Sequence, residues 1–300
     1  MKRFLSQKGA VGAGTSLMVL LAIAFFWPSS GTEINLLDKN VAPNLTYLFG
    51  TDWLGRDLFS RSLKALISSF YIGGMAVLLS CTIALCMAML ALVNRYFRWS
   101  VDLLVDLFMS LPHLLLLILL ALVFGGDQQG LVMAIALSHW PRLTRLLRFE
   151  MQSIANSPYF QIAKQFGHSP LVILKRHMLP HILPQWFVGA LLLFPHALTH
   201  MAALTFLGFG LDPSTPSMGA LLSQASQYLL TGMWWLALCP GGLLLLSLLL
   251  LSYLANTVMK IVREGPDTSI IQTKNRSISS VCMAVKKDVT KEVKVGVKDA

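Results

Sequence analysis

Charged residues interrupt this chain so rarely that the gaps between them outline its elements. Counting histidine as neutral, uncharged stretches cover 9–32, 65–94, 107–126, 177–211 and 213–259. A helix needs about 20 apolar residues to cross the hydrocarbon of a bilayer, so each stretch is long enough for one crossing. The last opens on a turn-rich run, Pro213-Ser214-Thr215-Pro216-Ser217, and holds one crossing near 234–259. A sixth crossing begins at Gln128 and reaches full length if Arg142, Arg145 and Arg148 belong to its end. Spaced by three, these arginines stack near one helix face and can snorkel to headgroups. The pattern predicts an all-α polytopic membrane protein with six transmembrane helices.

Composition agrees. Hydrophobic residues make up 55% of the 300 and charged residues 13%, about half the charged fraction of a typical soluble domain. Disorder and disulfide-rich scaffolds are excluded on the same grounds. The cysteines, Cys81, Cys86, Cys239 and Cys282, show neither CxxC nor zinc spacing and read as small apolar residues rather than disulfides. The net charge of +10 comes from basic residues that recur in alternate connections. Lys2, Arg3 and Lys8 precede the first span; Arg95 and Arg98 follow the second; Arg142 to Arg176 follow the fourth; Lys260 and Arg263 follow the last. The positive-inside rule puts these on the cytoplasmic side, both termini included. The excess therefore reads as cytoplasmic loops and not as a nucleic-acid surface. Residues 1–28 form the N-terminal segment and first helix, an uncleaved anchor rather than a signal peptide, because Trp27-Pro28-Ser29-Ser30 is no small-x-small site. Residues 29–63 are an extracytoplasmic segment, 64–267 a core of five helices, and 268–300 a disordered cytoplasmic tail.

One cytoplasmic loop, 150–180, is patterned. Ser157-Pro158 places an N-cap before proline at the first helical position. Tyr159, Ile162, Ala163 and Phe166 then share one apolar face, and Gly167 suits a helix end. Ser169-Pro170 repeats the start signal before a second short segment running to His177-Met178-Leu179-Pro180. Such a helix-turn-helix is either a handle for a partner or an interfacial helix lying on the membrane. Gln161-Ile162-Ala163, Gly167, Ile173 and His177-Met178-Leu179-Pro180 resemble the cytoplasmic motif of binding-protein-dependent ABC importers, with Gln in place of Glu and Ile in place of Ala at its start. Gly50-Thr51-Asp52-Trp53-Leu54-Gly55-Arg56-Asp57 is similar to the signature before the second span in peptide/nickel-type permeases of the second kind. Leu204-Thr205-Phe206-Leu207-Gly208-Phe209-Gly210 resembles the same family, and the likeness covers about 10–267.

The resemblance implies the type I ABC importer permease fold in a bacterial cytoplasmic membrane. It implies a non-catalytic subunit with no cofactor of its own, ATP and Mg being held by two cytoplasmic ATPase subunits. A second related permease subunit and an extracytoplasmic solute-binding protein complete the expected assembly. No Gly-Lys dipeptide occurs, so no Walker A loop exists here. Tyr159, Gln161, Ile162, Ala163 and Gly167, with Ile173, His177, Leu179 and Pro180, are the implied ATPase-coupling residues. Asp52, Gly55, Arg56 and Asp57 carry the extracytoplasmic motif, read either as a cap on the outer helix ends or as a substrate contact.

The fifth span holds Pro195-His196-Ala197-Leu198-Thr199-His200. His196 and His200, four apart, share a face, and Pro195 frees a backbone carbonyl beside them. Two imidazoles inside a membrane mark a polar pathway, a transient metal site, or interhelical hydrogen bonding. Imidazole suits nickel, copper and zinc. His113 is a third pathway candidate. Nickel-type permeases show a similar His-x-x-x-His pair, and Ser138-His139-Trp140 also looks nickel-like. Nickel or a nickel chelate is the leading cargo, with di- or oligopeptides as the alternative. A zinc protease is excluded because no Glu follows the first histidine. An ion-coupled transporter is the other rival, with Asp102 and Asp106 as its candidate carboxylates.

Overall fold

A computed structural model describes residues 2–28, 33–158, 172, 176, 178–209 and 216–263. The chain divides into two units, residues 1–258 and 259–300, and of the second only the end of its last helix is described. Among the described residues the long elements are all helices: α1 (Lys2–Phe26), α2 (Leu58–Val93), α3 (Arg95–Ser110), α4 (His113–Val123), α5 (Gln128–Ala155), α6 (Leu179–Phe206), α7 (Met218–Ser226) and α8 (Trp235–Arg263). Four of them, α1, α2, α6 and α8, are long and apolar enough to cross a membrane, and the bent pair α3–α4 makes five if it counts as one span. The sixth expected crossing corresponds to α5. Its 28 residues suffice in length, but the arginines after Pro141 leave it outside that apolar set.

The centre is α2 against α5 and α6. The inner face of α2 is a stripe of small residues, with Gly73, Ala76, Ser80, Ala84, Ala88 and Ala91 all buried. Small side chains let helix backbones approach closely where no hydrophobic effect drives association. Thr144 of α5 accordingly reaches across to donate to the Ala84 carbonyl at 3.3 Å, and Trp186 of α6 donates to the Cys81 carbonyl at 2.9 Å. Leu131, Ile135, Leu147 and Met151 of α5 fill the space beside this stripe.

Two expectations are corrected. The stretch 107–126 is not one straight span: the chain bends by 103° between α3 and α4. Pro112 is the cause, since it lacks an N–H and biases Leu111 away from helical geometry. The 11 residues of α4 rise only about 16 Å, too little to cross alone. The boundary between outer segment and core also moves, from residue 64 to Leu58, because Asp57 caps α2 by accepting from the Phe59 and Ser60 amides. A carboxylate at that position stabilises the orphan N–H groups of a helix start.

The outer segment is folded around Asp52, which has no exposed surface. Its carboxylate accepts from the Leu54 and Arg56 amides at 2.9 Å, from Arg56 Nε at 2.8 Å, and from Arg61 of α2. Arg61 also donates to Gln224 of α7 at 3.2 Å. Trp53 stacks on Tyr228 with centroids 5.0 Å apart. Gly55 is obligatory: its φ is +72°, and a Cβ there would collide with the Asn35 carbonyl oxygen. Asp52, Gly55, Arg56 and Asp57 thus tie the segment 33–57 to the start of α2, and Arg61 and Trp53 carry the tie on to the end of α7.

Candidate functional site

Three helices deliver histidines to one point. His113 begins α4 immediately after the Pro112 bend, His139 lies mid-way along α5, and His200 lies near the end of α6. Ring centroids are 4.7 Å apart for His113 and His139, 4.6 Å for His113 and His200, and 5.3 Å for His139 and His200. One ligand nitrogen from each lies within 4.8 Å of the other two. Nitrogens bound to a common ion at about 2.1 Å are at most about 4.2 Å apart. Closing the cage on an ion therefore requires the nitrogens to draw together by on the order of an ångström.

His139 is the most constrained of the three. It is 6% exposed. Its Nδ1 lies 2.9 Å from the Ile135 carbonyl oxygen and 2.8 Å from Ser138 Oγ. A carbonyl can only accept, so Nδ1 carries the proton and Nε2 carries the lone pair. That Nε2 is buried with no hydrogen-bond partner. A buried acceptor without a partner is costly, whereas a ring whose other nitrogen donates to a carbonyl is the usual arrangement of a metal-binding histidine.

The three rings line a cavity of about 270 Å³, together with His196, Arg142 and the α3 end at Met109 and Leu111. A second cavity of about 240 Å³ lies between α6 and α8, bordered by His196, Thr199, Ser252 and Asn256. His196 thus stands between the two spaces. The expected pair is redistributed: His200 joins the cage, while His196 is exposed and outside it, although both share a face of α6. A four-residue spacing fixes a common face within about 40°, not a common neighbour. His139, which the sequence placed in a nickel-like triplet but not among the pathway histidines, takes the third place. Its signal was the Ser138-His139-Trp140 triplet, where a histidine sits amid apolar residues.

The carboxylates that an ion-coupled transporter would need are occupied. Asp106 of α3 pairs with Arg145 of α5 at 2.6 Å, and Asp102 pairs with Arg148. These two arginines hold α3 and do not simply reach for headgroups. Of the coupling residues, Tyr159, Gln161, Ile162, Ala163, Gly167, Ile173 and His177 lie outside the described residues. Leu179 and Pro180 form the first turn of α6, where proline's missing N–H leaves no bond unmade. Gly208, in the third matching stretch, has φ +89° just after α6 ends.

Residues 80–264 match the model of the family described as binding-protein-dependent transport system inner membrane component. A protein of Brucella suis named as a peptide permease is 31% identical over 85% of this chain and 86% of its own length. The dipeptide transport system permease protein DppC of Bacillus subtilis is 27% identical over 82% of this chain and 79% of its own. Among solved structures, the MetNI methionine ABC transporter in inward-facing conformations aligns with a TM-score of 0.56 at 15% identity, over 67% of this chain and 95% of that one. An amino acid ABC transporter with histidines aligns at 0.54, also at 15% identity, over 66% and 92%. With a helical core of this architecture and a match of this extent, the chain belongs to the inner-membrane permease family of binding-protein-dependent ABC importers: a multi-pass, non-catalytic subunit of the bacterial inner membrane whose partners hydrolyse the ATP.

Proposed function

We propose that this permease subunit serves an importer of nickel or a nickel chelate. The observation that supports this reading is the cage of His113, His139 and His200, with the buried Nε2 of His139 left without a partner. Neutral imidazoles suit borderline cations such as Ni, Cu and Zn, and bare hydrocarbon offers such a cation no ligand. In the assembly proposed here, a second related permease subunit completes the pore. Two ATPases dock on the 150–180 loop, and an extracytoplasmic binding protein delivers cargo.

A second reading has its own support. The relatives named above are a peptide permease and a dipeptide permease, so names favour di- or oligopeptide cargo over nickel. Uptake by the complete importer separates the two. Cells carrying the parent importer should accumulate nickel. His139→Ala with His200→Ala should cut that accumulation at least tenfold at matched abundance of the complex, because two of three ligands are gone. Dipeptide accumulation that survives the double substitution, together with unchanged nickel uptake, makes the histidines packing residues and the importer a peptide system.

A further inference from the structure

We propose that Arg142 anchors a carboxylate on the cargo, so that the cavity takes its metal as a carboxylate chelate and not as a bare dication. This inference rests on the metal reading of the histidine cage. Arg142 follows His139 by three residues, so the two share a face of α5, and both line the same cavity. Of the three arginines at this end of α5, Arg145 and Arg148 are paired with aspartates of α3. Among the described residues Arg142 has no carboxylate partner, and no acidic side chain lines the cavity.

Charge balance then decides what fits. Three neutral imidazoles contribute nothing to offset a dication, and the neighbouring guanidinium repels it. A bare ion would add its positive charge to a lining that offers neutral polar groups and one cation but no anion, where uncompensated charge is expensive. A cargo that brings its own anionic groups removes the penalty. Three protein nitrogens on one side leave coordination positions open on the other, and about 270 Å³ is far more room than one ion needs. A multidentate chelator fits that space, its carboxylate oxygens ligating the metal on one edge and accepting from Arg142 on the other. The planar guanidinium suits this task because it donates in parallel to a carboxylate.

The test uses the intact importer complex in lipid nanodiscs, without the binding protein, so that only the pore discriminates. Two tridentate nickel chelates serve as probes: nickel iminodiacetate, which carries carboxylates, and nickel diethylenetriamine, which carries only neutral amines. The parent should bind the iminodiacetate complex about tenfold more tightly, the factor that one charge-assisted hydrogen bond supplies. Arg142→Gln should reduce that preference through weaker binding of the iminodiacetate complex, Arg142→Lys should restore part of it, and Arg145→Gln should leave it intact. Unchanged affinity of Arg142→Gln for the iminodiacetate complex, an equal loss for both probes, or no preference in the parent overturns the anchor. His139→Ala tests the underlying reading separately: if it binds nickel iminodiacetate as the parent does, the metal reading itself fails.

Discussion

Asp52 holds two guanidinium groups and two backbone amides on one fully buried carboxylate. Asp52→Asn keeps the shape but removes the charge, leaving Arg61, 7% exposed, without its counter-ion. Breaking a buried pair on one side costs about 3–5 kcal/mol. The purified variant should therefore melt clearly lower in detergent than the parent; an unchanged melting temperature would show that water reaches Arg61. The opposite charges of the GTDWLGRD stretch were legible in sequence, but Gly55 was visible only as part of a motif, and its left-handed φ beside Asn35 came from the structure. Gln224, which receives the other end of Arg61, was not, because 163 residues separate the two. The histidines divide in the same way. Periodicity sees one helix at a time, so it linked His196 to His200. The cage exists only once α4, α5 and α6 are packed, and it selects His200 with His113 and His139.

At the level of elements, α3 is fastened to α5 by two ion pairs of unequal setting. The Arg145–Asp106 pair lies on the subunit surface, with side-chain exposures of 57% and 67%, whereas Arg148 is only 14% exposed. Exposed pairs contribute about 0–1 kcal/mol, so Asp106→Asn should scarcely move the melting temperature. Asp102→Asn should lower it further, because a half-buried guanidinium is left unpaired. Equal shifts would mean that the two pairs are screened alike. The sequence suggested a single span at 107–126 because charge gaps measure length and say nothing of direction. Pro112 was a visible break signal, but only the packing of α4 against α5 shows the chain turning by 103° there. The turn matters for function, since it sets His113 at the head of α4 beside the other two rings. Two of the three arginines that obscured α5 as a span, Arg145 and Arg148, are the ones that clamp α3.

For the whole molecule, orientation in the membrane is the step on which a cytoplasmic coupling loop depends. The α2–α3 turn and the end of α5 carry a basic excess, whereas the segment before α2 is mixed, with Asp38, Asp52 and Asp57 against Lys39, Arg56 and Arg61, and the α4–α5 turn has only Asp127. Loops rich in positive charge stay in the cytoplasm, so the expectation to test is that the 33–57 segment and the α7 region lie outside. Leu45 is 99% exposed and Leu230 is 100% exposed, so a thiol at either position meets no steric barrier within the subunit. Tyr96, 79% exposed, and Ser153 report on the other face. In a background with the four native cysteines replaced, Leu45→Cys and Leu230→Cys should react with a membrane-impermeant maleimide added to spheroplasts. Tyr96→Cys and Ser153→Cys should react only after the membrane is opened. If Ser153→Cys is labelled from outside, the 150–180 loop that contains it faces away from the cytoplasm. No ATPase could then dock on it, and the coupling role of Gly167 and its neighbours would have to be abandoned.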